Sequence, residues 1–256
     1  MRSTPAPRTS TAMTSPYRVV FLPGLLCDGA TWTSQVAALA DRAPTSVADY
    51  GALDSLSAMA DAVLDGVPGD LVLVGHSMGG RVALEAYRQA RGRIRGLMLL
   101  DTGYQGRPRD DAGERERVER MELVDLARRS GMRAMGQRWV KRMVHPDRLG
   151  DESLVESILR MIERKTPAVF EAQQRALLAR PDATQLLADI ACPTLVLCGR
   201  EDAWSPPSRH EEMARRISTS DLVIVERCGH MSPMEQPQIV GAELTKWLSR
   251  VGVHAR

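Results

Sequence analysis

The sequence predicts an α/β fold: an open, mostly parallel sheet of about six strands with helices on both faces, and a helical insertion after the strand that ends at Asp101. Three observations predict it. Short aliphatic runs recur along the chain, amphipathic stretches of helical period separate them, and one long segment lacks any strand pattern. The runs are Arg18–Leu22, Leu71–Gly75, Gly96–Asp101, Pro193–Gly199 and Asp221–Glu226, with Thr45–Tyr50 as a weaker sixth. Near-continuous apolar character over so short a span is what a strand covered on both faces requires.

The helical stretches are Trp32–Ala40, Ser55–Leu64, Met78–Arg91, Arg209–Ile217 and Ile239–Val251. Strand and helix in alternation imply crossover connections and hence parallel strands. From Gly103 to Asp189 the pattern is helical, charged and punctuated by Gly and Pro, with helix starts expected near Ala112, Met132, Glu152 and Pro167. The chain is thus expected to divide into a disordered tail over 1–16, a core over 17–102 and 190–256, and a helical insertion over 103–189.

Composition narrows the function. A net charge of +2 over 256 residues, with basic and acidic side chains interleaved, excludes an electrostatic nucleic-acid footprint. The cysteines Cys27, Cys192, Cys198 and Cys228 lack metal-site spacing, so no metal is expected. No run approaches the roughly 18 apolar residues of a membrane span. The first sixteen residues are rich in Ser, Thr and Pro and lack the apolar stretch of a secretory signal, which places the chain in the cytoplasm as an expectation.

The chemistry gathers at "LVLVGHSMGGRVALEAY", where an aliphatic strand gives way to a helix across G-x-S-x-G. Such a turn forces the serine into strained backbone geometry, and Gly75 and Gly79 leave room for close backbone approach. Ser77 is read as a nucleophile; its alternative is a helix cap. A serine hydroxyl needs a base, and the base an orienting carboxylate. His230, on the loop after the last strand, shares the sheet's carboxyl edge with Ser77. His76 is expected to serve through a structural hydrogen bond, and His145, His210 and His254 to be solvated. Asp202 and Asp101 both follow strands at that edge; Asp202 is favoured, with Glu201 facing away from it. Backbone N–H groups of Met78 and of Leu25, in the loop after the first strand, complete an oxyanion hole. Asp28 either fixes that loop or faces solvent.

In order and separation, "LPGLLCDGATW", "GHSMGGR", "PTLVLCGREDAWSP" and "CGHMSPMEQP" resemble the α/β-hydrolase superfamily over nearly the whole chain after Tyr17. Two departures stand out. Pro23 occupies a position that is most often His in the family, and the family's first two strands are missing. The resemblance implies the serine-nucleophile, esterase- or lactonase-like branch, with residues 103–189 as a helical cap. It implies an acyl-enzyme route on a small ester or lactone, with no metal or organic cofactor, a small-molecule substrate, and neither nucleic acid nor membrane as a partner. Leu26, Trp139, Met143, Met161 and Met231, with Met121 and Met234, are expected to line an apolar pocket.

Two basic features leave a second route open, C–C cleavage or elimination, or thioester hydrolysis, on an acidic substrate. Arg128, Arg129, Arg133, Arg138, Lys141 and Arg142 run without an acidic residue between them and either attract an anion or form a wet helix face. Arg81 resembles an arginine of the menaquinone-pathway lyase branch. A ligand-binding protein with little turnover is the third reading.

Overall fold

The computed structural model describes residues 17–254, so the tail expected over 1–16 and the side chain of His254 fall outside the described residues. Strands β1 (Tyr17–Leu22), β2 (Thr45–Val47), β3 (Asp70–His76), β4 (Ile94–Leu100), β5 (Thr194–Gly199) and β6 (Ser220–Val225) form one sheet in the order β2-β1-β3-β4-β5-β6. Every pairing is parallel. The aliphatic runs became strands because alternate residues feed two different cores. Val19, Phe21, Val72, Val74, Met98 and Leu100 pack on one face with Trp32, Leu244 and Trp247. Val20, Leu22, Leu71, Leu73, Leu97 and Leu99 pack on the other with Met59, Val82 and Met213.

The helices of the core are α1 (Thr33–Ala38), α2 (Leu56–Gly66) and α3 (Met78–Ala90). Between β4 and β5 the chain forms the helical insert: α4 (Asp111–Trp139), α5 (Glu152–Glu163), α6 (Pro167–Leu178) and the short α7 (Thr184–Ala188). The core resumes with α8 (Pro207–Arg216), α9 (Ser232–Glu235) and α10 (Pro237–His254). Helices α1 and α10 pack together on one face of the sheet, while α2 and α3 pack together on the other.

The starts of the insert helices follow from their caps. Asp110 accepts from the N–H groups of Ala112 and Gly113, Asp151 from Leu154, and Thr166 from Val169 ahead of Pro167. The start expected near Met132 is found within α4, where two helical segments meet across a kink at Gly131, which takes φ 87° and ψ 164°. Only glycine enters that region without strain.

Strand order reverses between β1 and β3, because β2 lies outside β1 and β3 returns to its other side. In open α/β sheets the crevice beyond the carboxyl ends at such a point is where ligands bind. Register brings the right loops there: Leu22 pairs with Gly75, His76 with Leu100, and Leu100 with Leu197. The loops after β1, β3, β4 and β5 therefore emerge side by side.

Candidate active site

Ser77 sits between β3 and α3 at φ 53° and ψ −114°, a conformation that L-residues rarely adopt. The glycines explain how the turn can close. A Cβ on Gly79 would lie 1.9 Å from the Leu22 carbonyl oxygen, and one on Gly75 2.5 Å from the Gly79 carbonyl oxygen. Although Ser77 holds the N-cap position, its side chain caps no N–H of α3. Its hydroxyl lies instead 2.9 Å from Nε2 of His230.

His230 in turn places Nδ1 2.8 Å from Oδ2 of Asp202. With Asp202 as acceptor, Nδ1 carries the proton and Nε2 is free to accept from Ser77; the tautomer is assigned from this network. Asp202 is held by the N–H groups of Trp204 and Ser205 at 2.8 and 2.9 Å. Burial disfavours both charged forms, yet each carries its partner's favourable charge and hydrogen bond. The net result raises the His230 pKa and lowers that of Asp202. The loop bearing His230 is fixed from several sides. His230 N–H donates to the Met143 carbonyl at 2.7 Å, and buried Glu235 accepts from the N–H groups of Gly229 and Met231.

Asp101 is placed differently. Also strained, at φ 49°, it accepts from the Gly199 N–H and from the Ser232 hydroxyl, and its Oδ2 lies 3.7 Å from Nε2 of His76. Burial and the nearby charge of Asp202 push its carboxyl well above the usual range. His76 donates from Nε2 to the His230 carbonyl at 2.7 Å. Burial lowers its pKa to about 3, so the ring is neutral. Glu201 points away, accepting from the Cys228 N–H.

Two of the histidines expected in solvent are not there. His210 is fully buried on the sheet-facing stripe of α8, beside Met213, and its Nε2 accepts from the Thr102 N–H at 3.0 Å. Burial brings its pKa down to about 4. His145 is largely covered, and its Nδ1 accepts from the Asp147 N–H at the start of a short 3-10 turn. Charged neighbours concealed His210 in the sequence, where Arg209, Glu211 and Glu212 flank it.

The loop after β1 is clamped by the insert. Gln173 of α6 accepts from the Leu26 N–H at 3.0 Å and donates to the Gly51 carbonyl. Asp28 accepts from the Ala30 N–H and pairs with Arg164 through both oxygens. The Leu25 N–H finds no acceptor among the described residues. Met78, as the first residue of α3, has an N–H that the helix itself cannot use.

A cavity of about 690 Å³ opens over Ser77 and His230, walled by Leu25, Met78, Trp139, Met143, Leu177 and Trp204 at its apolar end. Trp204 stacks on Trp139 with ring centroids 5.2 Å apart and meets His230 edge-on at 4.9 Å. Trp139 and Met143 thus line the cavity. Leu26, Met161 and Met231 do not line the cavity; each is fully buried within the core. Leu26 is turned inward at φ 61°, Met161 accepts from the Thr31 hydroxyl, and Met231 packs beneath its own loop. Met121 and Met234 also lie outside the walls.

Nor is the cavity purely apolar, since Arg81, Arg120, Arg180 and Arg209 line it with Glu116. Sequence reasoning missed four of these five, and only Arg81, one turn beyond Ser77, stood near a recognisable motif. Of the basic run in α4 and beyond, Arg128 pairs with Glu171, Arg133 with Glu156 and Glu163, and Arg138 with Glu122. Only Arg138 and Arg142 of that run reach the cavity. A second cleft, of about 630 Å³, lies at the amino edge of the sheet around Tyr87, Cys192 and Trp247, far from Ser77 along the strands.

Ser77, His230 and Asp202 thus stand together on the loops after β3, β6 and β5. A model of the alpha/beta hydrolase family matches residues 19–243. The chain belongs to that family. It is 26% identical over 237 residues to the pimeloyl-[acyl-carrier protein] methyl ester esterase of Nitrosomonas europaea, covering 86% of this chain and 91% of that one. A thermophilic esterase from Thermogutta terrifontis, solved with malate bound, superposes with a TM-score of 0.82 at 30% identity, covering 93% of this hydrolase and 92% of that chain. The enol-lactonase of Burkholderia xenovorans shares the fold at a TM-score of 0.77 and 19% identity, over 94% of each chain. Among the described residues of this hydrolase, no helix is long and apolar enough to cross a membrane.

Proposed function

We propose that this ester hydrolase cleaves a small carboxylic ester or lactone through an acyl-enzyme on Ser77, with His230 as base and acid and Asp202 as the orienting carboxylate. The observation that carries the reading is the continuous hydrogen-bond chain from Ser77 to His230 to Asp202, at 2.9 and 2.8 Å. As Ser77 Oγ attacks the carbonyl carbon, its proton passes to His230 Nε2, and Asp202 stabilises the imidazolium that forms. The negative charge on the carbonyl oxygen is received by the N–H groups of Leu25 and Met78. His230 then returns the proton to the departing alkoxide. Water, deprotonated by the same imidazole, attacks the acyl-enzyme and frees the acid. Residues 103–189 act as a cap: Gln173 and Arg164 hold the oxyanion loop, and Met143 holds the His230 loop.

Intact-mass analysis after fluorophosphonate treatment tests the assignment. One adduct is expected on the parent protein and none on Ser77→Ala or His230→Ala. A folded parent that takes up no adduct would end the acyl-enzyme reading.

The pH profile has a defined sign. His230 acts only when neutral, and Asp202 holds its pKa above the ordinary histidine value. The kcat/KM for a neutral ester is therefore expected to rise with pH through an apparent pKa above that value, then level off. In Asp202→Asn the rising limb moves to lower pH as its height falls; an unmoved limb would mean that Asp202 does not set the titration.

The arginines in the cavity favour one second reading, elimination or C–C cleavage on an acidic substrate. A relative from Salmonella heidelberg, 26% identical over 165 residues, is named 2-succinyl-6-hydroxy-2,4-cyclohexadiene-1-carboxylate synthase. Rapid turnover of simple aryl esters supports the hydrolase route over this one.

A further inference from the structure

The charged side of the cavity is not balanced by the protein. Six arginines and three glutamates line it. Arg120 and Arg180 both bond Glu116, which holds that carboxyl down to about 2 despite burial. Arg81 and Arg209 make no ion pair with a carboxylate among the described residues; each donates to a backbone carbonyl, Arg81 to Gln105 at 2.8 Å and Arg209 to Trp204 at 3.0 Å. The two meet at one place. A Cβ on Gly103 would lie 2.7 Å from Arg81 Nη2 and 3.4 Å from Arg209 Nη1, so both guanidinium groups flank the same stretch of backbone. That stretch follows Thr102, whose hydroxyl donates to the Ser77 carbonyl at 2.7 Å.

We propose that the substrate carries a carboxylate apart from its reacting carbonyl, and that Arg81 and Arg209 receive it in the cavity beside Ser77. A guanidinium offers five N–H donors, and a single carbonyl partner leaves most of them for a planar, two-oxygen anion. Both side chains are only partly buried, and a bound carboxylate would supply the counter-charge that neither receives from the described residues. Burial and the neighbouring Arg180, Arg209 and Arg120 push the Arg81 pKa down to about 9, a shift that a bound anion would oppose. Arg81 follows Ser77 by one turn of α3, about 6 Å along the helix, which places the carboxylate a few bonds from the scissile carbonyl. Trp139, Trp204 and Met143 line the same cavity and offer an apolar surface for the rest of the molecule.

The proposal rests on the acyl-enzyme reading of Ser77, and the test separates the two. Two matched ester series carry the anion on either side of the bond: p-nitrophenyl hydrogen glutarate against p-nitrophenyl butyrate, and 4-acetoxybutyrate against butyl acetate. In at least one series the anionic member is expected to lead by about 30-fold in kcat/KM, mainly through KM, as charge-assisted hydrogen bonds of ordinary strength would give. Arg81→Gln and Arg209→Gln should each cut that ratio by about tenfold, with Arg209→Lys between, since it keeps the charge and loses the fork. Thermal melting identifies any variant that fails to fold, and the other arginine then carries the test. If Ser77 takes the fluorophosphonate and neutral esters turn over, yet both ratios stay near one or survive both substitutions, the carboxylate site is overturned. If Ser77 takes no label, the acyl-enzyme reading has failed first.

Discussion

Ser77→Ala is expected to lower kcat on an aryl ester by about a millionfold, His230→Ala by a similar factor, and the double variant by no more than either alone. In the proposed mechanism Ser77 and His230 act as one unit across the 2.9 Å contact, so removing either ends the same proton transfer. Asp202→Asn should cost about ten-thousandfold, because an amide facing Nδ1 favours the wrong tautomer and no longer stabilises the imidazolium. Asp101→Asn provides the contrast. Its carboxyl lies 3.7 Å from His76 and bonds Ser232 and Gly199, so it supports the loop without touching the His230 ring nitrogens. Steady-state kcat on p-nitrophenyl butyrate, with the melting temperature of each variant as control, decides the assignment. A larger loss in Asp101→Asn than in Asp202→Asn would transfer the acid role to Asp101.

The strands and the elbow were legible because their signals are local. An aliphatic run needs burial on both faces, and "GHSMGG" compresses a strand end, a strained residue and a helix start into one stretch. The six-stranded sheet, helices on both its faces and the helical insert between β4 and β5 correspond to those expectations. Small elements were less visible. The 3-10 turn Gly29–Trp32, α7 and α9 are each too short to establish a hydrophobic period, whereas Gly131 marks the kink at which two helical segments of α4 meet, as its position in the sequence suggests.

The lining of the cavity was legible only in part, and the reason is geometric. Arg81, Arg120, Arg180 and Arg209 come from α3, α4, the turn after α6, and α8, so no window of sequence contains two of them. The conspicuous basic run, read as either an anion attractor or a wet helix face, is divided between the two: Arg128 and Arg133 are answered by Glu156, Glu163 and Glu171 on neighbouring insert helices, partners a linear reading cannot pair, while Arg138 and Arg142 reach the cavity. Methionines were misjudged for a related reason: their flexible side chains fill core gaps as readily as pockets, and Met161 and Met231 are fully buried. Gln173, which ties α6 to the Leu26 N–H, had no signal beyond being an amide on a helix.

Gly79→Ala is expected to be the most damaging single-methyl change in the core, at about 3 kcal/mol or more, because no relaxation of side chains can absorb it. The added Cβ would lie 1.9 Å from the Leu22 carbonyl oxygen and 2.7 Å from that of Pro23, both backbone atoms at the end of β1. Relief requires α3 to move away from the sheet, and α3 begins at Met78, whose N–H is one of the two assigned to the oxyanion. Stability and chemistry should therefore fall together, with a melting temperature lower by about 6–12 °C for a chain of this size. Gly66→Ala is the matched control. It ends α2 with nothing within 4 Å of the added methyl, and alanine there is expected to stabilise by about 0.5–1 kcal/mol through helix propensity and reduced chain entropy. Thermal or urea melts of both variants, alongside fluorophosphonate labelling, measure the difference. If Gly79→Ala melts with the parent and labels at the parent rate, the close approach of α3 to β1 is not what holds Ser77 in place.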